Sequence, residues 1–87
     1  MELQIDEHTL TRAEERGTNI NEIRDVIETG SLIPAKYQRL CKYKIYSFNK
    51  ERNGKYYKQK RVEVYYIGGV KEIITVTVYV FYGEWEN

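Results

Sequence analysis

The strongest constraint on this chain is a change of hydrophobic period around Pro34, its only proline. Before that point apolar residues recur at helical spacing, and from Tyr37 onward they alternate. A chain that changes period once is expected to be α+β, with helices first and a sheet after, rather than an alternating α/β fold. Its 87 residues allow one modest core and no second domain. The expected architecture is a single domain over residues 1–87. Helices occupy 1–30, a twisted antiparallel sheet of about four strands fills 36–82, and 83–87 form a short tail.

The first helix is expected over residues 5–16, where no breaker intervenes, with Gly17 as its C′ residue. Thr18, Asn19 and Asn21 are each possible N-caps for the second, and Asn19 with Glu22 has the spacing of a capping box. Ile20, Ile23, Val26 and Ile27 make one apolar face, and Gly30 ends the helix. Residues 40–49 and 60–67 read as partner strands joined by residues 50–59, in which Asn53-Gly54 is a strong two-residue turn signal. Gly68-Gly69 marks a second turn. Residues 72–82 then alternate, placing Ile74, Val76, Val78 and Val80 on a face toward the helices and Thr75, Thr77, Tyr79 and Phe81 on the other. Trp85, in the tail, is free to fold back over an apolar edge.

Cys41 is the only cysteine, so no intrachain disulfide forms, and with one histidine there is no Cys/His set for zinc. No cofactor is expected. The N-terminal residues lack a signal-peptide pattern and no run of residues is apolar enough for a membrane span, so a cytoplasmic location without membrane contact is expected. The net charge of +1 hides an asymmetry. Residues 36–61 carry ten basic residues against Glu51 alone, a net charge of +9, together with five of the nine tyrosines. The segments on either side are acidic. Cations interleaved with rings suit single-stranded RNA, and Lys42, Lys44, Arg52, Lys55, Lys58 and Lys60 with Tyr46 and Tyr65 are the candidate contacts. The same pattern serves a solvated hairpin whose lysines protect sheet edges, or an acidic protein partner.

His8, Arg12 and Arg16 are spaced four and four, which puts them on one stripe of the first helix. An imidazole titrates near neutrality and guanidinium groups grip phosphate, so the stripe suits proton transfer beside a phosphodiester. From spacing alone, ion pairs with Glu7, Glu14 or Glu15 on a solvated helix are the commoner use of such a stripe. Thr75, Thr77 and Tyr79 offer hydroxyls on the strong strand, with Glu63 and Tyr65 on the next and Lys44 and Tyr46 on the one beyond.

The run His8-Thr-Leu-Thr-Arg12-Ala-Glu-Glu-Arg16-Gly17, a second short helix containing Ile23, and the terminal Thr77-Val78-Tyr79 resemble a family of small bacterial and phage-associated domains of unassigned function. That family is similar to the barnase, EndoU, colicin and RelE-like ribonucleases, the BECR fold, which place helices before a four-stranded antiparallel sheet and usually need no metal. The resemblance implies that His8, Arg12, Arg16, Thr77 and Tyr79 border a catalytic site. It makes the first expectation a metal-independent endoribonuclease of toxin type, cleaving through the 2′-hydroxyl and countered by an acidic antitoxin. A binding module for RNA or an acidic protein, using the basic hairpin without catalysis, is the second. A domain that dimerises through a sheet edge is the third.

Overall fold

The computed structural model describes residues 2–85. Asp6 opens helix α1 (Glu7–Arg16) by accepting the Thr9 N–H at 3.0 Å on Oδ1. Gly17 closes it in the left-handed region at φ +93°, its N–H bonded to the Ala13 carbonyl. Of the three possible caps, Asn19 starts helix α2 (Ile20–Thr29), its side chain accepting the Glu22 N–H at 2.9 Å. The capping box stays half formed, because the Glu22 carboxylate turns to Thr18 and Lys60. Ile23, Val26 and Ile27 are buried against the sheet, whereas Ile20 is exposed.

The expected α+β fold of two helices on a sheet is present; the sheet, expected as about four antiparallel strands, has five, one of them paired in parallel. In chain order they are β1 (Glu2–Gln4), β2 (Ser31–Pro34), β3 (Leu40–Arg52), β4 (Lys55–Gly68) and β5 (Glu72–Gly83), arranged β1-β5-β4-β3-β2. Strand β1 pairs in parallel with β5, Leu3 opposite Ile73, so the chain begins on the sheet before its first helix. Strand β2 is an antiparallel edge, where Pro34, which has no N–H to donate, is tolerated. The basic hairpin is longer than expected: β3 and β4 run to Arg52 and Lys55, with only Asn53 (φ +54°) and Gly54 (φ +81°) between them. The Trp85 backbone N–H donates to Gln59 Oε1 at 2.6 Å.

Both helices lie on one face of the sheet. Val62, Val64, Tyr66, Ile73 and Val78 meet Ala13 and the α2 residues in a single core, with Leu3 and Val80 packed at its margin. The other face is free of helices. Strand β5 does not alternate without interruption as expected. Tyr65 pairs with Thr77 but Tyr66 with Thr75, so Val76 is an extra residue in a β-bulge. Beyond it the faces exchange. Thr75 points to the helices, 1% exposed, and bonds to Thr9 Oγ1 at 3.0 Å, while Ile73 replaces Ile74 in the core. The hydroxyl row Thr75, Thr77, Tyr79 is therefore divided, and only Thr77 and Tyr79 reach the open face.

Candidate functional site

Register decides which side chains meet on the open face. Glu63 and Tyr65 of β4 stand opposite Tyr79 and Thr77 of β5, and opposite Tyr43 and Cys41 of β3. Lys44 and Tyr46, expected beside them, are one residue out of phase and face the helices. Pro34 and the loop after it rise along one side of the open face. Together they enclose a cavity of about 560 Å³ bordered by Lys36, Tyr37, Arg39, Glu63, Tyr65, Thr77, Tyr79 and Phe81.

Glu63 and Tyr65 on its floor are connected to Arg61, which lies beside the cavity. Arg61 lies 3.8 Å from the centroid of the Tyr43 ring, and its Nε donates to Glu63 Oε2 at 2.8 Å. Tyr65 donates its hydroxyl to the other carboxylate oxygen at 3.3 Å. Both charged side chains are largely withdrawn from water, Glu63 at 12% and Arg61 at 23% exposure. Burial first, then the neighbouring Cys41 and Glu63 groups, push the Tyr65 hydroxyl up to about 12. It therefore keeps its proton at neutral pH. Burial and then the Glu63 charge likewise push the Cys41 thiol up to about 11, which makes it a poor nucleophile. Among the described residues no three His, Cys, Asp or Glu side chains converge to hold a metal ion.

The rings continue the floor toward the β5 edge. Tyr65 meets Tyr79 edge to face at 5.6 Å, and Tyr79 stacks with Phe81 at 6.4 Å and 24°. Beyond Ile74, where β1 ends, that edge is met by Arg16 of α1. Its Nη1 donates to the Val78 carbonyl at 2.7 Å and its guanidinium carbon stands 4.6 Å from the Tyr79 ring centroid. The structure thus brings together Arg16, Thr77, Tyr79 and Tyr65 of the expected site. None of His8, Arg12 and Arg16 lines the cavity; of the three, only Arg16 touches a lining residue, Tyr79. Arg12 pairs with Glu15 at 2.7 Å. His8 is exposed two turns before Arg16, roughly 12 Å along the helix axis at 1.5 Å per residue. It adds to the groups that hold the Asp6 carboxyl below its usual range: burial acts against the shift, and hydrogen bonds from Thr9 and Thr75 outweigh it.

The basic hairpin divides its charge between faces. Lys42 donates to the Ile27 carbonyl, Lys44 to Asp25 and Thr29, Arg52 to the Glu15 carbonyl, and Lys60 to the Gly17 carbonyl and Glu22. The Tyr46 hydroxyl also donates to Asp25. These expected RNA contacts are occupied in holding the helices to the sheet, because even-numbered β3 residues and Lys60 share the helix face. Lys55 and Lys58 stay exposed near the hairpin tip.

Sequence reasoning placed Glu63 on this face without a role, and it passed over Arg61, Tyr37 and Arg39. The alternation Arg61, Glu63, Tyr65 carried the signal for the first, since those positions share a face with Tyr79 once the hairpin register is fixed. Nothing local marks the loop residues. Among the described residues no helix is long and apolar enough to cross a membrane. Comparison with known protein families, curated proteins and solved structures finds no match to this chain.

Proposed function

We propose that the chain is a metal-independent endoribonuclease whose reaction centre is the open-face cleft. The observation that carries this reading is the Glu63–Tyr65 pair on the cleft floor, with Arg61 bound to Glu63 from beside the cleft and Arg16 against the ring of Tyr79. RNA supplies its own nucleophile, so a carboxylate to accept the 2′-hydroxyl proton, cations to stabilise the charged transition state and a protonated hydroxyl to donate are the groups required. In this reading Glu63 accepts the proton as O2′ attacks phosphorus. Arg61 and Arg16 hold the phosphoryl oxygens, Tyr65 protonates the departing O5′, and Thr77 and Tyr79 orient the phosphate. The products are a 2′,3′-cyclic phosphate and a 5′-hydroxyl.

Proton transfer thereby moves from His8 to Glu63, and His8 and Arg12 lie farther along the helix, outside the cleft. A toxin of this kind requires neutralisation, and an acidic antitoxin segment laid over Lys36, Arg39 and the cleft is the form that charge favours. The helix stripe and terminal strand resemble a small-domain family that is similar to the RelE-like ribonucleases; that resemblance suggests the activity, although it would put His8 rather than Glu63 at the proton transfer.

The test is incubation of wild type, Glu63→Gln and His8→Ala with mixed cellular RNA in EDTA, followed by analysis of the ends. Cleavage by wild type leaving cyclic phosphate, reduced about 10²–10³-fold in Glu63→Gln and far less in His8→Ala, is the expected result. A larger loss in His8→Ala than in Glu63→Gln would return the proton transfer to the helix. RNA bound but uncut by all three would leave a binding module.

A further inference from the structure

The loop wall of the cleft holds a feature that the cleavage chemistry does not use. Tyr37 and Gln38 occupy the left-handed region in succession, at φ +62° and +59°. Neither is a glycine, and each such residue costs roughly 1–2 kcal/mol against the right-handed alternative. Packing gives nothing back, because Tyr37 is 85% exposed. A large ring held in water on a strained backbone is a poor arrangement for stability, and such strain concentrates at ligand-gripping positions.

Its surroundings define the ligand. Tyr37 borders the same cavity as Tyr79 and Phe81, whose rings lie near parallel and are partly exposed. Lys36 and Arg39 flank it in the loop and border that cavity too. Rings and cations that border one cavity complement a flat, aromatic group carried on an anionic backbone. A paired base presents no free face to such a slot, whereas an unstacked base does.

We propose that Tyr37, with the Tyr79–Phe81 ring pair, holds one unpaired nucleobase of a single-stranded RNA next to the reaction centre. The inference rests on the nuclease reading for the identity of the polyanion, and it adds what that reading lacks: a demand for an unpaired nucleotide, and the side chain that enforces it. Any base satisfies the slot, so it selects strandedness rather than sequence.

The test uses the Glu63→Gln protein, so that RNA persists, and single-stranded oligonucleotides with 2-aminopurine in place of one base, whose fluorescence falls when it stacks on a ring. Quenching is expected in this parent. Adding Tyr37→Ala should abolish it and weaken binding about 10–100-fold, Tyr37→Phe should retain it, and a fully paired duplex should show none. Tyr37→Gly should also lose quenching while melting at a higher temperature than the parent, since it relieves the left-handed strain. Loss of function with a gain of stability excludes a folding defect. Unchanged quenching in Tyr37→Ala would overturn the inference and leave the nuclease reading intact if wild type cleaves. Quenching that depends on Tyr37 in a protein that never cleaves would sustain the slot and sink the nuclease. Absence of both RNA binding and cleavage would overturn both.

Discussion

The Arg16 guanidinium is bound to the carbonyl of Val78 at 2.7 Å while lying 4.6 Å from the ring centroid of the next residue, Tyr79. One side chain from the helix layer therefore caps an open backbone acceptor at the sheet edge and fixes a ring on the far face. Lysine reproduces the charge but not the planar fork. Arg16→Lys should cost about 1 kcal/mol of stability in urea melts. On the proposed nuclease reading, RNA cleavage should fall by about tenfold or more in the folded protein, and equal loss in melts and turnover would make the contact purely structural.

Lys60 and Lys58 are two residues apart in a basic strand, yet they should behave oppositely. The Lys60 ammonium, 10% exposed, joins the Gly17 carbonyl at the end of α1 to Glu22 at the start of α2. Lys60→Met strands that carboxylate and should destabilise by about 2–3 kcal/mol, with RNA affinity of the folded fraction little changed. Reversal of Lys55 and Lys58 to glutamate breaks only the exposed Lys58–Glu84 pair, so it should change the melt little, and on the proposed reading it should reduce the salt dependence of RNA binding. Denaturation and salt titration of the two variants side by side would decide the matter.

Gly17 is required twice over. Its φ of +93° disfavours any side chain, and a Cβ there would collide with Tyr82 Oη and approach the Arg52 guanidinium. Gly17→Ala should cost about 2 kcal/mol. Because one obstacle is a single hydroxyl, which also donates to the Arg16 carbonyl at 2.6 Å, Tyr82→Phe should be less harmful in the Gly17→Ala background than alone. A double-mutant cycle by thermal melts reads this directly.

Acid should release α2 from β3. The Lys44 ammonium first, then the Tyr46 hydroxyl, hold the Asp25 carboxyl down to about 2, from an ordinary 3.8. A depressed carboxyl pKa stabilises the fold above the unfolded value, and that contribution is lost as pH falls from 3.8 to about 2. Asp25→Asn should be less stable than wild type at neutral pH and should converge with it by about pH 2, in urea melts across that range. Asp6, lowered in the same direction, keeps part of the acid slope in the variant.

Where a residue's own neighbours determine its conformation, the sequence was legible. Gly17, Asn19 with Glu22, Gly30 and Asn53-Gly54 mark real boundaries, because caps and tight turns are local chemistry. Strand β1 was not, since three residues carry no period, and Pro34 concealed β2 by arguing against a strand that only an edge can accommodate. The bulge at Val76 had the largest effect on the site. A bulge is a property of two paired strands, so Ile73 to Phe81 look like one alternation until β4 is laid beside them. For the same reason Lys44 and Tyr46 were placed one residue out of phase, and Glu63 could be put on the face but not joined to Arg61.

The parallel pairing of Glu2–Gln4 with Glu72–Ile74 ties the first strand to the last. On the ribosome, α1 and α2 emerge early with nothing to cover their apolar faces, and the strands that bear Arg61, Glu63, Thr77 and Tyr79 are synthesised afterwards. Contacts so distant in sequence form late and slowly. A nascent chain therefore has neither its sheet edge sealed nor its cleft floor assembled until β5 has left the exit tunnel, so the moment of folding is also the moment at which the polypeptide first acquires its site.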